Sequence, residues 1–513
     1  MNRILRNIVL QSVPSPMNRR KFIIQTSALA ALTAAPMLKA SSAARVRGAN
    51  EDIRIAVVGF NSRGEEHIHG FKSLKGVRLV ALCDVDRQVL DKHKQSLAAE
   101  GIDVATYTDV RKLLESPEID AISIATPNHW HSLMAIWAIE AGKDVYVEKP
   151  VSHNVWEGRQ LVLAARKHSA IVQTGTQSRS NPGLQEAIAW LHAGNLGAIK
   201  LARGLCYKPR ASIGKVSGPT AIPDYIDYDL WCGPSPKAPL MRKKLHYDWH
   251  WQFSTGNGDL GNQGIHQMDI ARWVLGENAL CPQVISVGGR FGYVDDGNTP
   301  NTQFVYHGYK KAPLIFEVRG LPRSSEFLQA QKWGEKEMPD YKGAKIGVVV
   351  DCENGQLVIP SYESATAFDT NGKEIKHWKE GGDHFANFIA AVRSRNKSDL
   401  NAEIEQGHLS SALCHTGNIS YQLAQELPKS AIADRLKGTP GAAETFDRLA
   451  DHLDKDGIDL EKTNARLGAF LTMNPTTERF VGNAKADQLL TREYRKGFEV
   501  PSYGQSVKPT ARA

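Results

Sequence analysis

From Ile53 onward the chain alternates short apolar runs with longer stretches of helical period. The runs Ile53 to Phe60, Val77 to Asp84, Ala121 to Thr126, Asp144 to Val147 and Ala170 to Gln173 are rich in β-branched residues, as strands buried on both faces require. Between them, Glu65 to Leu74, Arg87 to Ala99 and His131 to Ala141 place apolar residues at helical spacing and suit crossover connections. The pattern predicts an α/β fold whose first half, residues 51–175, is a doubly wound parallel sheet of nucleotide-binding type.

After about Gly175 the texture changes. Lys200 to Tyr207, Gln283 to Phe291, Asn301 to Tyr306 and Leu314 to Val318 read as longer, alternating strands with few crossover helices between them. That suits a C-terminal α+β domain, residues 176–425, built on a large, mostly antiparallel sheet with one open or oligomer-facing side. Such a face implies a homodimer or homotetramer. Asp383 to Arg393 and Gln406 to Leu423 read as helices returning to the body. Residues 426–513 form an extension with one helix, Ala442 to Asp454, and no readable role.

The 513 residues carry a net charge of +8, which raises the question of a nucleic-acid partner. The position of the charge answers it. Residues 1–50 hold six Arg, two Lys and no acid, leaving 55 basic against 55 acidic residues in the remainder. A basic groove therefore loses its support, and no nucleic-acid partner is expected. Instead, Asn18-Arg19-Arg20-Lys21-Phe22-Ile23, the Ala-rich run to Leu38 and the small residues of 40–44 resemble a twin-arginine export signal. The alternatives are an ordinary secretory signal or an N-terminal anchor, and Met17 is an alternative start. Residues 1–45 are assigned to this signal and the mature protein to the periplasm, with no stable membrane span after processing. The six cysteines (83, 206, 232, 281, 352, 414) show no paired or metal-like spacing, and Cys83 reads as a buried small hydrophobe.

The first strand runs into Gly59-Phe60-Asn61-Ser62-Arg63-Gly64, a G-x-N-x-x-G variant of the dinucleotide fingerprint. Gly59 permits a tight bend, Gly64 permits close helix packing, and the helix start turns backbone N–H groups toward a diphosphate. Asn61 stands where the fingerprint has glycine, and asparagine tolerates left-handed backbone. Asp84 ends the second strand 20 residues after Gly64, where a ribose 2′-hydroxyl needs an acceptor. It favours NAD over NADP, a preference that Arg87 softens. Thr126-Pro127-Asn128-His129-Trp130-His131 breaks the fourth strand at the carboxyl edge of the sheet, where open α/β folds bind ligands. Thr126, Pro127, Asn128 and His131 are read as cofactor contacts. Two histidines at i and i+2 supply too few ligands for a closed metal site, so none is assigned. Glu148-Lys149-Pro150 ends the next strand on the same edge, aiming Lys149 at the crevice.

The order of these pieces, followed by Gly261-Asn262-Gln263-Gly264-Ile265-His266, resembles the Gfo/Idh/MocA family of glucose–fructose oxidoreductases and inositol dehydrogenases. The resemblance covers about residues 51–425 and is most specific at Glu148-Lys149-Pro150. It implies a Rossmann domain, a nicotinamide cofactor contacted by Glu148 and Lys149, and a sugar, polyol or glycoside partner. It also implies that Lys149 touches substrate. The family's D-x-x-x-H pair falls on Asn262 and His266, so a neutral amide replaces the acid. His266 is then expected to be the base and Lys149 and Asn262 to position the carbinol. Asp269, on the same helical face, is a candidate for the missing charge.

His246-Tyr247-Asp248-Trp249-His250-Trp251 gathers rings that stack on sugar C–H faces or fill a core. Tyr247, Trp249, His250 and Asp269 are taken as substrate contacts, with Arg179 after the last strand of the first half. The expected function is hydride transfer to or from a sugar or polyol carbinol. Two rivals stand: glycoside hydrolysis by transient oxidation with a retained NAD, and non-catalytic sugar binding on a borrowed fold.

Overall fold

The computed structural model of the chain describes residues 52–504; the export-signal reading of residues 1–45 falls outside them. The first sheet has six parallel strands: β1 (Ile53–Val58), β2 (Val77–Cys83), β3 (Ala105–Tyr107), β4 (Ala121–Ile124), β5 (Asp144–Val147) and β6 (Val172–Thr174). Their order is β3-β2-β1-β4-β5-β6. The chain leaves β1 toward β2 on one side and resumes at β4 on the other, so a crevice opens at the carboxyl ends of β1 and β4. β1, β4 and β5 are buried at every position, which is why their sequences admit no alternation. Helices Arg63–Lys72, Arg87–Ala99, His131–Glu140 and Val155–His168 cover the two faces.

The second sheet is mostly antiparallel. Its main path runs β14-β13-β12-β11-β7-β10-β9-β8-β16-β15, where β7 is Ile199–Tyr207, β8 Gln283–Gly289, β9 Thr302–His307, β10 Leu314–Arg319 and β11 Ile346–Cys352. β12 to β14 span Gly355–Ile359, Ser364–Phe368 and Glu374–Lys379, and β15 and β16 are Gln425–Leu427 and Ala465–Leu467. Only β7 and β10 pair in parallel. Beneath the sheet lie the helices Ile265–Leu275 and Ile404–Gln422, sharing one core with β7, β10 and β11.

Two expectations change here. The open face over β8 to β10 is covered by the chain itself, since Ile432, Leu436, Phe446, Leu449 and Leu453 pack on Ile285, Val287, Phe304 and Ile315. The face that suggested a homodimer or homotetramer is thus occupied. Nor is the segment from residue 426 a separate extension, because β15 and β16 continue the sheet edge. Its helix Ala442–Lys455 is strongly amphipathic, and an apolar stripe on such a helix needs a surface to bury it. No helix among the described residues is long and apolar enough to cross a membrane. All six cysteines are buried and unpaired.

Candidate active site at the dinucleotide crevice

At the switch point of the first sheet lies a cavity of about 450 Å³, bounded by the turn after β1, the ends of β2 to β5 and residues of the second domain. Gly59 adopts φ +76°, and a Cβ there would come within 2.8 Å of Thr126, so the bend needs glycine. Gly64 lies behind the wall. A Cβ on it would stand 2.0 Å from the Gly59 carbonyl oxygen, so its role is close packing of helix on turn. Ser62, at the helix start, caps no backbone N–H with its side chain, which leaves the first turn open toward the cavity for an anion.

Asp84 accepts from the Phe60 and Asp86 amides at 3.1 and 3.0 Å. Burial pushes its carboxyl up to about 6, against those two bonds. A half-buried carboxylate at the tip of β2, lining the cavity, is the acceptor a ribose diol requires. The bend, the uncapped helix start and this acid together fit a dinucleotide.

Glu148 and Lys149 end β5 at the other end of the cavity, and the Lys149–Pro150 bond is cis. Arg63 donates to Glu148 at 2.9 Å, and the His67 ring lies 3.1 Å away. Burial alone would raise the Glu148 carboxyl, but Arg63, His67 and Lys149 outweigh it and hold it well below the usual carboxylate range. Burial lowers the Lys149 amine, opposed by Glu148. The amine donates to the Asn262 main-chain carbonyl at 2.8 Å.

Asn262 sits in a π-helical turn, Leu260–Gly264, that leads into the helix Ile265–Leu275. Single π-turns inside helices recur at functional sites. Here the turn depends on its glycines, because Cβ atoms on Gly261 and Gly264 would come within 2.5 Å of Asn257 and Phe316. Asp259, at its start, is clamped by Arg210 through donors at 2.6 and 2.8 Å.

His266 lies in the first turn of the helix that follows and is buried, with 7% of its surface exposed. Burial first, and the Lys149 charge second, hold its imidazole well below the usual histidine range, and its buried Nδ1 has no hydrogen-bond partner. The aromatic run does reach the cavity. Tyr247, half-exposed at φ +65°, Trp249 and His250 all line it. The His250 ring stacks on Trp249 with centroids 3.6 Å apart, and burial lowers it to about 3, so it is neutral.

Asn61, Ser62, Arg63, Thr126, Pro127, Asn128 and His131 line the cavity as well. The His131 ring nitrogens lie 2.6 and 2.7 Å from the Pro150 and Thr126 carbonyl oxygens, tying the two loops together. Arg179 and Asp269 are placed elsewhere. The guanidinium donates to the Asp269 carboxylate at 2.8 to 3.0 Å, Ser410 adds a donor at 2.6 Å, and both charges are buried away from the cavity wall. Asp269 therefore neutralises Arg179 and supplies no charge to His266.

The contacts that close the cavity from the second domain are not readable from the sequence. His246 lies 2.9 Å from Asp86, the Asp227 amide donates to the Val85 carbonyl, and Asn128 donates to Asn257 at 3.0 Å. Asp86 was legible as the cap of the helix starting at Arg87; its partner 160 residues away was not.

Residues 53–176 match the Gfo/Idh/MocA oxidoreductase family's NAD-binding Rossmann fold, and residues 198–307 match that family's C-terminal α/β domain. The chain is 26% identical over 242 residues to a levoglucosan dehydrogenase from Pseudarthrobacter phenanthrenivorans, covering 46% of this chain and 54% of that one. It is 37% identical over 122 residues to a glycosyl hydrolase family 109 protein from Shewanella pealeana, covering 23% and 27%. The match thus spans about half or less of these relatives' lengths. In fold it is similar to the WlbA dehydrogenase of Bordetella pertussis, solved with NADH and UDP-GlcNAcA (TM-score 0.51, 18% identity, 71% and 94% of the two chains). It is equally similar to an oxidoreductase domain protein from Kribbella flavida (TM-score 0.52, 17% identity, 72% and 96%). The two matched segments, a doubly wound NAD-binding domain and the α/β domain that follows it, thus resemble the two domains of the Gfo/Idh/MocA oxidoreductases.

Proposed function

We propose that this protein is an exported, periplasmic NAD-dependent enzyme that exchanges a hydride with a carbinol carbon of a sugar or polyol. The observation that carries the proposal is the Lys149 amine at the crevice end of β5, beside the Asn262 turn and across the cavity from Asp84. NAD, when bound, accepts or returns the hydride. The chain's own residues do the rest. Asp84 anchors the ribose, and Lys149 faces the carbinol. Burial brings the amine toward its neutral form, and in that form it takes the hydroxyl proton as the carbon is oxidised. The Asn262 carbonyl fixes the direction of the amine. His266, expected from sequence to be the base, is held as a neutral imidazole by its burial and by the Lys149 charge, which keeps a second positive charge out of the site. Tyr247, Trp249 and His250 offer ring faces and polar edges for a pyranose. A screen of sugars, polyols and anhydrosugars for NAD reduction tests the reading; activity untouched by Lys149→Met rejects it.

The closed ribose end favours a second reading. Contacts across it, from His246 to Asp86 and from Arg87 to the Asp224 and Tyr225 carbonyls, suit a cofactor that stays in place. An exported enzyme that keeps its NAD needs a redox-neutral cycle, and cleavage of a glycoside through transient oxidation is one. Release of free sugar from a glycoside, with bound nucleotide returned to its starting state, identifies this reading.

A further inference from the structure

Residues 490–503 belong to neither sheet and take no part in the chemistry above. Their contacts fall into two sets. Toward the nucleotide-binding domain, the Trp156 amide donates to the Leu490 carbonyl at 2.9 Å, the Tyr494 hydroxyl to Glu157 at 2.9 Å, and the Tyr503 amide to Gln160 at 2.6 Å. All three partners lie on the helix Val155–His168. Toward the second domain, Arg492 donates to the Ser254 carbonyl at 2.8 Å. Arg495 donates to the carbonyls of Asp229 and Gly233 at 3.0 and 3.1 Å and to the Asp229 carboxylate at 2.5 Å.

Phe498 sits between the two sets. Its ring meets Trp130 edge-on, with centroids 5.6 Å apart, and the Arg111 and Arg495 guanidinium groups lie 5.4 and 5.1 Å from its centre. Trp130 lines the cavity, and its indole N–H donates to the Leu230 carbonyl at 3.0 Å. A Cβ on Gly233 would come within 2.2 Å of that indole, so ring and backbone meet directly. Leu230 and Trp231 line the same stretch of cavity as Val85 and Val110. The wall beyond Asp84 is therefore a seam between two domains, and residues 490–503 lie along its outside, tied to both.

A cavity whose wall is a seam empties when the seam parts. Resting on the assignment of this cavity to NAD, we infer that residues 490–503 are a strap holding the seam closed, with Arg495 and Phe498 as positioning residues that set how fast NAD leaves. The half-exposed Arg495–Asp229 ion pair contributes little by itself. The two carbonyl bonds and the Phe498 packing carry the rest. Reciprocity then requires that NAD, touching both walls, hold the strap down in return.

The full-length protein and its Arg495→Ala/Phe498→Ala variant are loaded with NAD, diluted, and followed for nucleotide release well below their melting temperatures. The variant should release NAD at least about tenfold faster, and Phe498→Tyr, which keeps the ring, should release it at the wild-type rate. Equal rates from the loaded wild type and double variant overturn the strap alone. A wild type that takes up no NAD overturns the cofactor assignment and the strap with it. Should the double variant not fold, trypsin cleavage of the unaltered protein at Arg492, Arg495 and Lys496 decides. NAD should slow it about tenfold, and equal cleavage with and without NAD contradicts the strap.

Discussion

The Lys149 amine donates to the main-chain carbonyl of Asn262 over 2.8 Å, joining the end of β5 to a π-helical turn 113 residues along the chain. That contact fixes the direction of the amine, while burial lowers its pKa against the pull of Glu148.

Replacing Lys149 with Met keeps the stem and removes the proton site. Turnover should fall by about 10²- to 10⁴-fold, with NAD binding retained, because the ribose and diphosphate contacts lie at the other end of the cavity. Steady-state rates beside a nucleotide titration check both halves. His266→Gln should cost far less, and a loss equal to that of Lys149→Met would return the base to His266.

The neighbouring Glu148 carboxylate opposes the effect of burial on the Lys149 amine. Glu148 favours the charged form of Lys149, so in Glu148→Gln burial acts with less opposition and the amine loses its proton at lower pH. The rising limb of kcat/KM for carbinol oxidation should move toward acid. A limb that stays in place assigns it to another group.

Asp84 carries a raised carboxyl, at about 6. Above that pH it is ionised and accepts ribose hydroxyls; as pH falls through about 6 it takes a proton, and NAD affinity should decline. On folding the sign is reversed. The folded state holds this proton more tightly than the unfolded chain, so this group's contribution to stability grows as pH falls from about 6 toward its ordinary value. Asp84→Ala should cost about 1.5–3 kcal/mol in NAD binding, flatten the pH dependence and narrow the gap between NAD and NADP. Equal losses for both nucleotides would count against the ribose role.

Arg179 and Asp269 make a structural prediction. With both charges buried and paired, Asp269→Asn leaves a buried guanidinium short of its partner and should destabilise folding by about 3–5 kcal/mol. Denaturant midpoints should drop. NAD affinity and substrate KM in the folded fraction should not move.

What the sequence displayed was local. β5 falls at its expected boundaries, because an unbroken Val-Tyr-Val run marks it without help from the rest of the chain. The cavity-lining residues from Gly59 to Lys149 were readable for the same reason: each ends a strand, and parallel strands end on one edge. Long-range pairing was not readable. Arg179 and Asp269 look like free charges until the fold brings them together, and His246 looks like one ring among several until it meets Asp86. Strands β11 to β14 escaped notice because their alternation is broken by turns at Glu353-Asn354 and 360–363 and by a polar β14. The covering of β8 to β10 by Phe446 and Leu449 needed a helix whose apolar stripe was visible but whose target was not.

If a carbinol carbon facing Lys149 exchanges hydride with NAD in this cavity, an isotope on that carbon must pass to the nucleotide. Incubating the NAD-loaded protein with pyranoses, anhydrosugars and glycosides deuterated at their carbinol carbons, then weighing the nucleotide released on denaturation, tests it without assuming net turnover. One carbinol position should yield nicotinamide carrying a single deuterium, and Lys149→Met should abolish the label while keeping the nucleotide. Bound NAD that never acquires deuterium from any sugar would contradict hydride exchange at this site.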